Sequence, residues 1–149
     1  MTFADTLSLV SSIATAVGVG IAATQIWIGR IQGISQFEDS FAKEYRDVAS
    51  KIPTRALLGA ELTENEKIDH FDELFRYYDL CNEQIFLRIQ GRINRKTWEF
   101  WRDGMKCHFT KPAFKWAWME IDSAPYAEFN EFRRLIQSDF KDDPRKWKG

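Results

Sequence analysis

A run without one charged side chain, LSLVSSIATAVGVGIAATQIWI from Leu7 to Ile28, constrains this chain more than any other feature. As an α-helix it measures about 33 Å at 1.5 Å per residue, which matches the hydrocarbon core of a bilayer. Asp5 precedes the run and Arg30 follows it, while Ser8, Ser11, Ser12, Thr15, Thr24 and Gln25 dilute its hydrophobicity. A cleaved secretory signal would carry Lys or Arg ahead of the apolar stretch. Only Asp5 stands there, although Ala14-Thr15-Ala16 imitates a cleavage site. A buried or interfacial helix would show a polar face or fall short of spanning length, and here the hydroxyls are spread round the cylinder. The expectation is one N-terminal transmembrane helix with its flanks, residues 1–34.

Arg30, Lys43 and Arg46 follow the run, and nothing basic except the amino terminus precedes it. By the positive-inside rule the N-terminus then lies outside and the C-terminal domain in the cytosol, with Trp27 and Phe3 at the two headgroup levels. Small residues recur at every fourth position. Ala14, Gly18 and Ala22 form one row, and Ser12, Ala16, Gly20 and Thr24 form another. Such rows allow close backbone approach between membrane helices, so other membrane protein helices and lipid are the expected partners, in a homo-oligomer or a larger complex.

Behind this segment remains enough chain for one soluble core. The 12 Phe, 6 Trp and 4 Tyr make up 15% of the sequence and lie almost entirely beyond residue 36. With 21 basic and 22 acidic side chains the net charge is -1, which offers no global field for nucleic acid. Cys81 and Cys107 are too few for a disulfide framework and read as small hydrophobes in a reducing compartment.

Helical spacing dominates from Ser35 onward, and no useful strand alternation occurs. Ser35 and Glu38 have capping-box spacing ahead of a stripe of Phe37, Phe41, Tyr45, Val48 and Ile52 that Pro53 ends. Pro53 to Leu58 reads as a helical turn closed by Gly59. Thr63 and Glu66 open the longest helix, with Ile68, Phe71, Leu74, Phe75, Tyr78, Cys81, Ile85 and Ile89 inward and Gly91 at its end. Asn94 caps the next, carrying Trp98, Trp101, Met105 and Phe109, with Ile93 and Trp98 as a hydrophobic staple. Thr110 is read as the cap of a helix with Pro112 in its first turn and Phe114, Ala117, Trp118 and Ile121 inward. The last helix is expected near Ser123 and Pro125, with Tyr126, Phe129, Phe132 and Ile136 on one side. The prediction is an all-α chain: the membrane helix, a compact helical bundle over 35–140, and a polar tail, 141–149, that frays unless Trp147 finds a surface.

No site of catalysis emerges from these patterns. The carboxylates Glu64, Glu66, Asp69, Asp72, Glu73, Asp79 and Glu83 lie mostly opposite the apolar stripe, and the Glu-x-x-His of carboxylate-bridged metal bundles is missing. His70, Cys81, Cys107 and His108 lack the spacing of a zinc site, and nothing supports a Cys–His nucleophile, while an enzyme with a helical-bundle site around His70 and Glu83 is kept as a third reading. No phosphate-binding glycine loop is present. Neither a metal nor a cofactor is expected. Arg88, Arg92, Arg95 and Lys96 cluster around the Gly91 turn, where they would contact a phosphate, an anionic lipid headgroup or an acidic partner, or simply serve a helix C-terminus. A network from Glu83 to Arg88 or Arg92 is the expected internal use of that charge.

The stretch YYDLCNEQIFLRIQGRINRKTWEFWRDGMKCHFTKPAFKWAW, Tyr77 to Trp118, resembles an uncharacterised family of small bacterial proteins with one N-terminal membrane helix and a helical domain. Its Asp79-Leu80-Cys81-Asn82-Glu83 run, Gly91-Arg92-Ile93 turn and Trp98-x-x-Trp101 helix carry the likeness. With the Pro53 to Gly59 turn it covers two thirds of the chain. The resemblance implies a single-pass protein of the bacterial inner membrane and brings no catalytic residues with it. The expected role is a non-enzymatic accessory subunit of a membrane complex, with a membrane-tethered regulatory or stress-response protein as the alternative.

Overall fold

A computed structural model describes the backbone of residues 3–147 and the side chains of residues 15 and 17–147. The described elements are helices and turns, with no strand among them: α1 (Phe3–Lys51), α2 (Thr54–Leu57), α3 (Glu64–Asp69), α4 (Phe71–Ile89), α5 (Arg95–Phe109), α6 (Pro112–Ser123), α7 (Asn130–Gln137) and a 3-10 turn, Pro144–Lys146. The chain divides into two compact units, residues 1–36 and 37–149.

In the first unit the described residues are helical and Val17, Val19, Ile21, Ile26, Trp27 and Ile28 are exposed. Among the described residues no helix is long and apolar enough to cross a membrane. Much of the uncharged run falls outside that statement, because the side chains of residues 7–14 and 16 lie outside the described residues. Ser35, expected to cap a new helix, lies inside α1 instead. The capping-box spacing there is coincidental, since a cap acts only where the backbone leaves helical geometry.

The second unit is a helical bundle centred on α4, which packs against α6, α7 and the 3-10 turn. Its core is aromatic. Phe132 meets Trp118 at 4.8 Å and Tyr78 at 5.2 Å between ring centroids, in tilted or edge-on geometry. Such pairs contribute about 0.5–1.5 kcal/mol each beyond the area they bury. Tyr78 lies wholly inside because its hydroxyl donates to the Phe114 carbonyl at 2.7 Å. Asn82 accepts from the Phe132 amide at 3.1 Å and so ties α4 to the start of α7.

Local signals set most helix ends. Thr63 and Glu66 form both halves of a capping box, and Asn94 accepts from the Thr97 amide at 2.9 Å. Each such cap is worth about 1 kcal/mol. Gly59 and Gly91 take φ of 97° and 74°, the left-handed turn that glycine adopts most readily.

Three further expectations need correction. The long helix is two, because the chain breaks at His70, where φ is -118° and ψ 11°; Ile68 then points outward, 77% exposed. Thr110 does not cap α6, since its hydroxyl donates back to the Cys107 carbonyl and Lys111 takes the cap position before Pro112. Residues 124–129 are not helical. The last helix begins at Asn130, and Tyr126 is 93% exposed rather than on an inward stripe. For the polar tail the stated exception applies: Trp147 finds a surface under Arg134, 4.5 Å away in a cation–π contact, and Pro144 is buried.

Candidate functional site

The chemistry-bearing residues singled out from the sequence do not converge. Arg88 is buried. Its Nε and one terminal nitrogen donate to the Asp143 carboxylate at 2.8 and 2.6 Å, and the other donates to the Ile93 carbonyl at 2.8 Å. Three of its five N–H donors are used in these bonds, and the side chain is buried rather than presented to a phosphate in solvent. Arg95 is exposed and pairs with Glu99 at 2.8 Å, Arg92 lies 5.8 Å over the Phe37 ring, and Lys96 is exposed. The expected network through Glu83 is therefore replaced by one through Asp143, at the far end of the sequence. The Arg88 guanidinium holds the Asp143 carboxyl below the usual range, against a smaller upward push from burial.

His70 and Glu83 sit about 20 Å apart along the helical axis at 1.5 Å per residue. His70 stands 4.0 Å from Glu73, while burial and the neighbouring Glu44 and Asp79 raise the Glu83 carboxyl. Cys107 is exposed and Cys81 buried. Among the described residues no three His, Cys, Asp or Glu side chains are grouped as metal ligands. Of the small-residue rows, Ser12, Ala14 and Ala16 lie outside the described residues, and Gly18, Gly20 and Ala22 are exposed, with nothing within 4 Å of a Cβ built at either glycine.

What the structure assembles instead is an apolar cavity of about 500 Å³ between residues 41–46 of α1, α4 and α5. Phe41, Tyr45, Tyr77, Leu80 and Trp101 wall it, Gln84 and His108 add polar groups, and Arg46, Phe100 and Asp103 are its exposed margin. Each helix contributes one stripe at three- and four-residue spacing, which is why the rings face one another. Phe41 and Trp101 meet at 5.6 Å, and His108 packs on Phe114 at 4.8 Å.

Gly104 creates part of the room. It interrupts the inward stripe of α5, and a Cβ built there meets nothing within 4 Å. His108 contacts the Gly104 carbonyl through Nδ1 at 2.9 Å and the Tyr45 hydroxyl through Nε2 at 3.5 Å. Nδ1 therefore carries the proton and Nε2 offers its lone pair to the tyrosine. Burial lowers the His108 pKa and keeps the ring neutral, outweighing the Gly104 bond. The Cys81 thiol is pushed up to about 12 by burial, so no thiolate forms there at neutral pH.

Gln84 is 6% exposed, and its amide makes no hydrogen bond with any described residue. Two signals for this cavity were present in the sequence. One is Gly104 inside the Trp101, Met105 and His108 stripe, and the other is Gln84 on the inward stripe of Tyr77 and Cys81. No protein-family model matches the chain, and the comparisons with curated proteins and with solved structures also give no match.

Proposed function

We propose that the chain is a non-enzymatic accessory subunit of a bacterial inner-membrane complex, anchored by residues 7–28 of α1. The observation that carries this reading is the uncharged run itself. Its described part presents large apolar side chains to the outside, with Val17, Val19, Ile21, Ile26 and Trp27 each more than half exposed. A contiguous apolar surface of that kind is costly in water and suits lipid or the faces of other membrane helices. Gly18, Gly20 and Ala22, all exposed, leave room for a second backbone to approach. Arg30, Lys43 and Arg46 support a cytosolic position for the bundle.

Association is tested by extracting the chain in a mild detergent and sizing it under native conditions. The reading expects a species larger than the 17.5 kDa chain with its detergent. Gly18→Leu or Gly20→Leu, on separate rows, should break association on the face that meets a neighbour while leaving insertion intact. A stable monomer of the chain's own mass would remove the basis for a subunit. The alternative, a membrane-tethered regulator acting through self-association, gains support from the cavity in the bundle, which offers a place for a ligand to act.

A further inference from the structure

We propose that the cavity between α1, α4 and α5 binds a neutral, largely aromatic small molecule through one hydrogen bond to the Gln84 amide. Its volume of about 500 Å³ lies within the range that encloses drug-sized ligands. The rings of Phe41, Tyr45, Tyr77 and Trp101 favour a flat aromatic body, which stacks or meets them edge-on.

The polar groups define the rest of the ligand. Gln84 is more than nine-tenths buried, lines the cavity and has no partner among the described residues. Its amide oxygen and nitrogen open into the cavity, since neither is among the fully enclosed unpaired polar atoms, and a ligand oxygen or N–H would pair with them there. No charge stands in the interior. His108 has its Nδ1 proton committed to Gly104, and Cys81 is a thiol. Arg46 and Asp103 stand at the margin with opposite signs, and Asp103 already accepts from Arg102 at 2.8 Å. A charged ligand group would enter without a counter-ion, at a desolvation cost that nothing in the cavity offsets. The proposal is independent of how α1 meets the membrane.

N-phenyl-1-naphthylamine is a suitable probe: it is neutral, aromatic, carries one N–H and fluoresces strongly in apolar surroundings. Its emission is measured on the full chain in detergent and compared with Gly104→Leu at equal concentration, so that partition into micelles cancels. Gly104→Leu fills the cavity from α5, where a helical leucine meets no neighbour at its Cβ, and Ala42→Leu fills it from α1. Wild type should show saturable emission that both filling variants abolish while their melting temperatures hold. Gln84→Leu should weaken binding by about 2- to 10-fold, the worth of one neutral hydrogen bond. Equal signals from wild type and both folded filling variants would overturn the proposal. So would saturable binding of the anionic probe 11-(dansylamino)undecanoic acid that is lost in Arg46→Ala and indifferent to Gln84→Leu.

Discussion

Asp143 receives two donors from Arg88 and one from the Arg145 amide, and the guanidinium it pairs with is 9% exposed at its side chain. Replacing the acid leaves a buried cation with one carbonyl for company. Asp143→Ala should therefore cost about 2–4 kcal/mol in urea denaturation, near the usual range for breaking a buried pair. The pH dependence follows from the lowered carboxyl of the folded state. Its contribution is complete above the ordinary value of about 3.9 and is lost as pH falls through the lower folded value. Acid titration of the denaturation midpoint should show a smaller loss below that point in Asp143→Asn than in wild type. His108 works in a different window. Burial lowers its folded pKa, so its contribution is complete above about 6.5 and declines as the pH drops through the folded value. The difference in stability between wild type and His108→Gln should narrow across that window. A difference that stays constant would mean that the ring is as easily protonated in the bundle as in the unfolded chain.

Helix ends show what was legible in the sequence and what was not. Thr63 with Glu66, Asn94 with Thr97 and Pro112 at the first turn of α6 act over three or four residues, and short-range chemistry of that kind can be read from the chain alone. Thr63→Ala should cost about 1 kcal/mol, because the Glu66 amide loses its acceptor and the Glu66 carboxylate loses the hydroxyl, while the backbone amide of residue 63 and Arg55 still donate to it. The break at His70 and the irregular stretch after Ser123 have no such local signature. They depend on packing against other helices, as Phe75 against Phe129 at 5.6 Å illustrates, and spacing alone continues a helix through both. Gly91 combines the two kinds of information. Its left-handed φ was foreshadowed by its place after a helix, yet the Arg145 guanidinium occupies the space a Cβ would take, and that neighbour comes from the polar tail more than fifty residues on. Gly91→Ala should destabilise by about 1–3 kcal/mol, from backbone strain and the displaced arginine together. Calorimetry that showed no change would remove the tail from the account of this turn.

At the scale of the molecule, the all-helical class and the aromatic core of the bundle were readable from periodicity, while Gly104 and Gln84 marked the cavity without giving its place or volume. Periodicity identifies which side chains point inward, whereas a cavity is the volume they fail to fill, which depends on how three helices are spaced around Gly104. The same limit applies to Arg88, for which the sequence offered Glu83 on the same helix as a partner, whereas the structure supplies Asp143 from the far end of the chain. The proposed anchoring of α1 rests on the opposite situation, an apolar surface that the described residues leave open. Its most direct test is fractionation of cells expressing the full chain, followed by an alkaline carbonate wash of the membranes. The account predicts that the wild-type chain stays in the washed membrane pellet. It also predicts that Val19→Lys combined with Ile21→Lys, each costing about 2.5–3.5 kcal/mol near the centre of a membrane helix, releases a folded chain to the supernatant. Wild-type protein found in the soluble fraction, or stripped from the membranes by the wash, would contradict it.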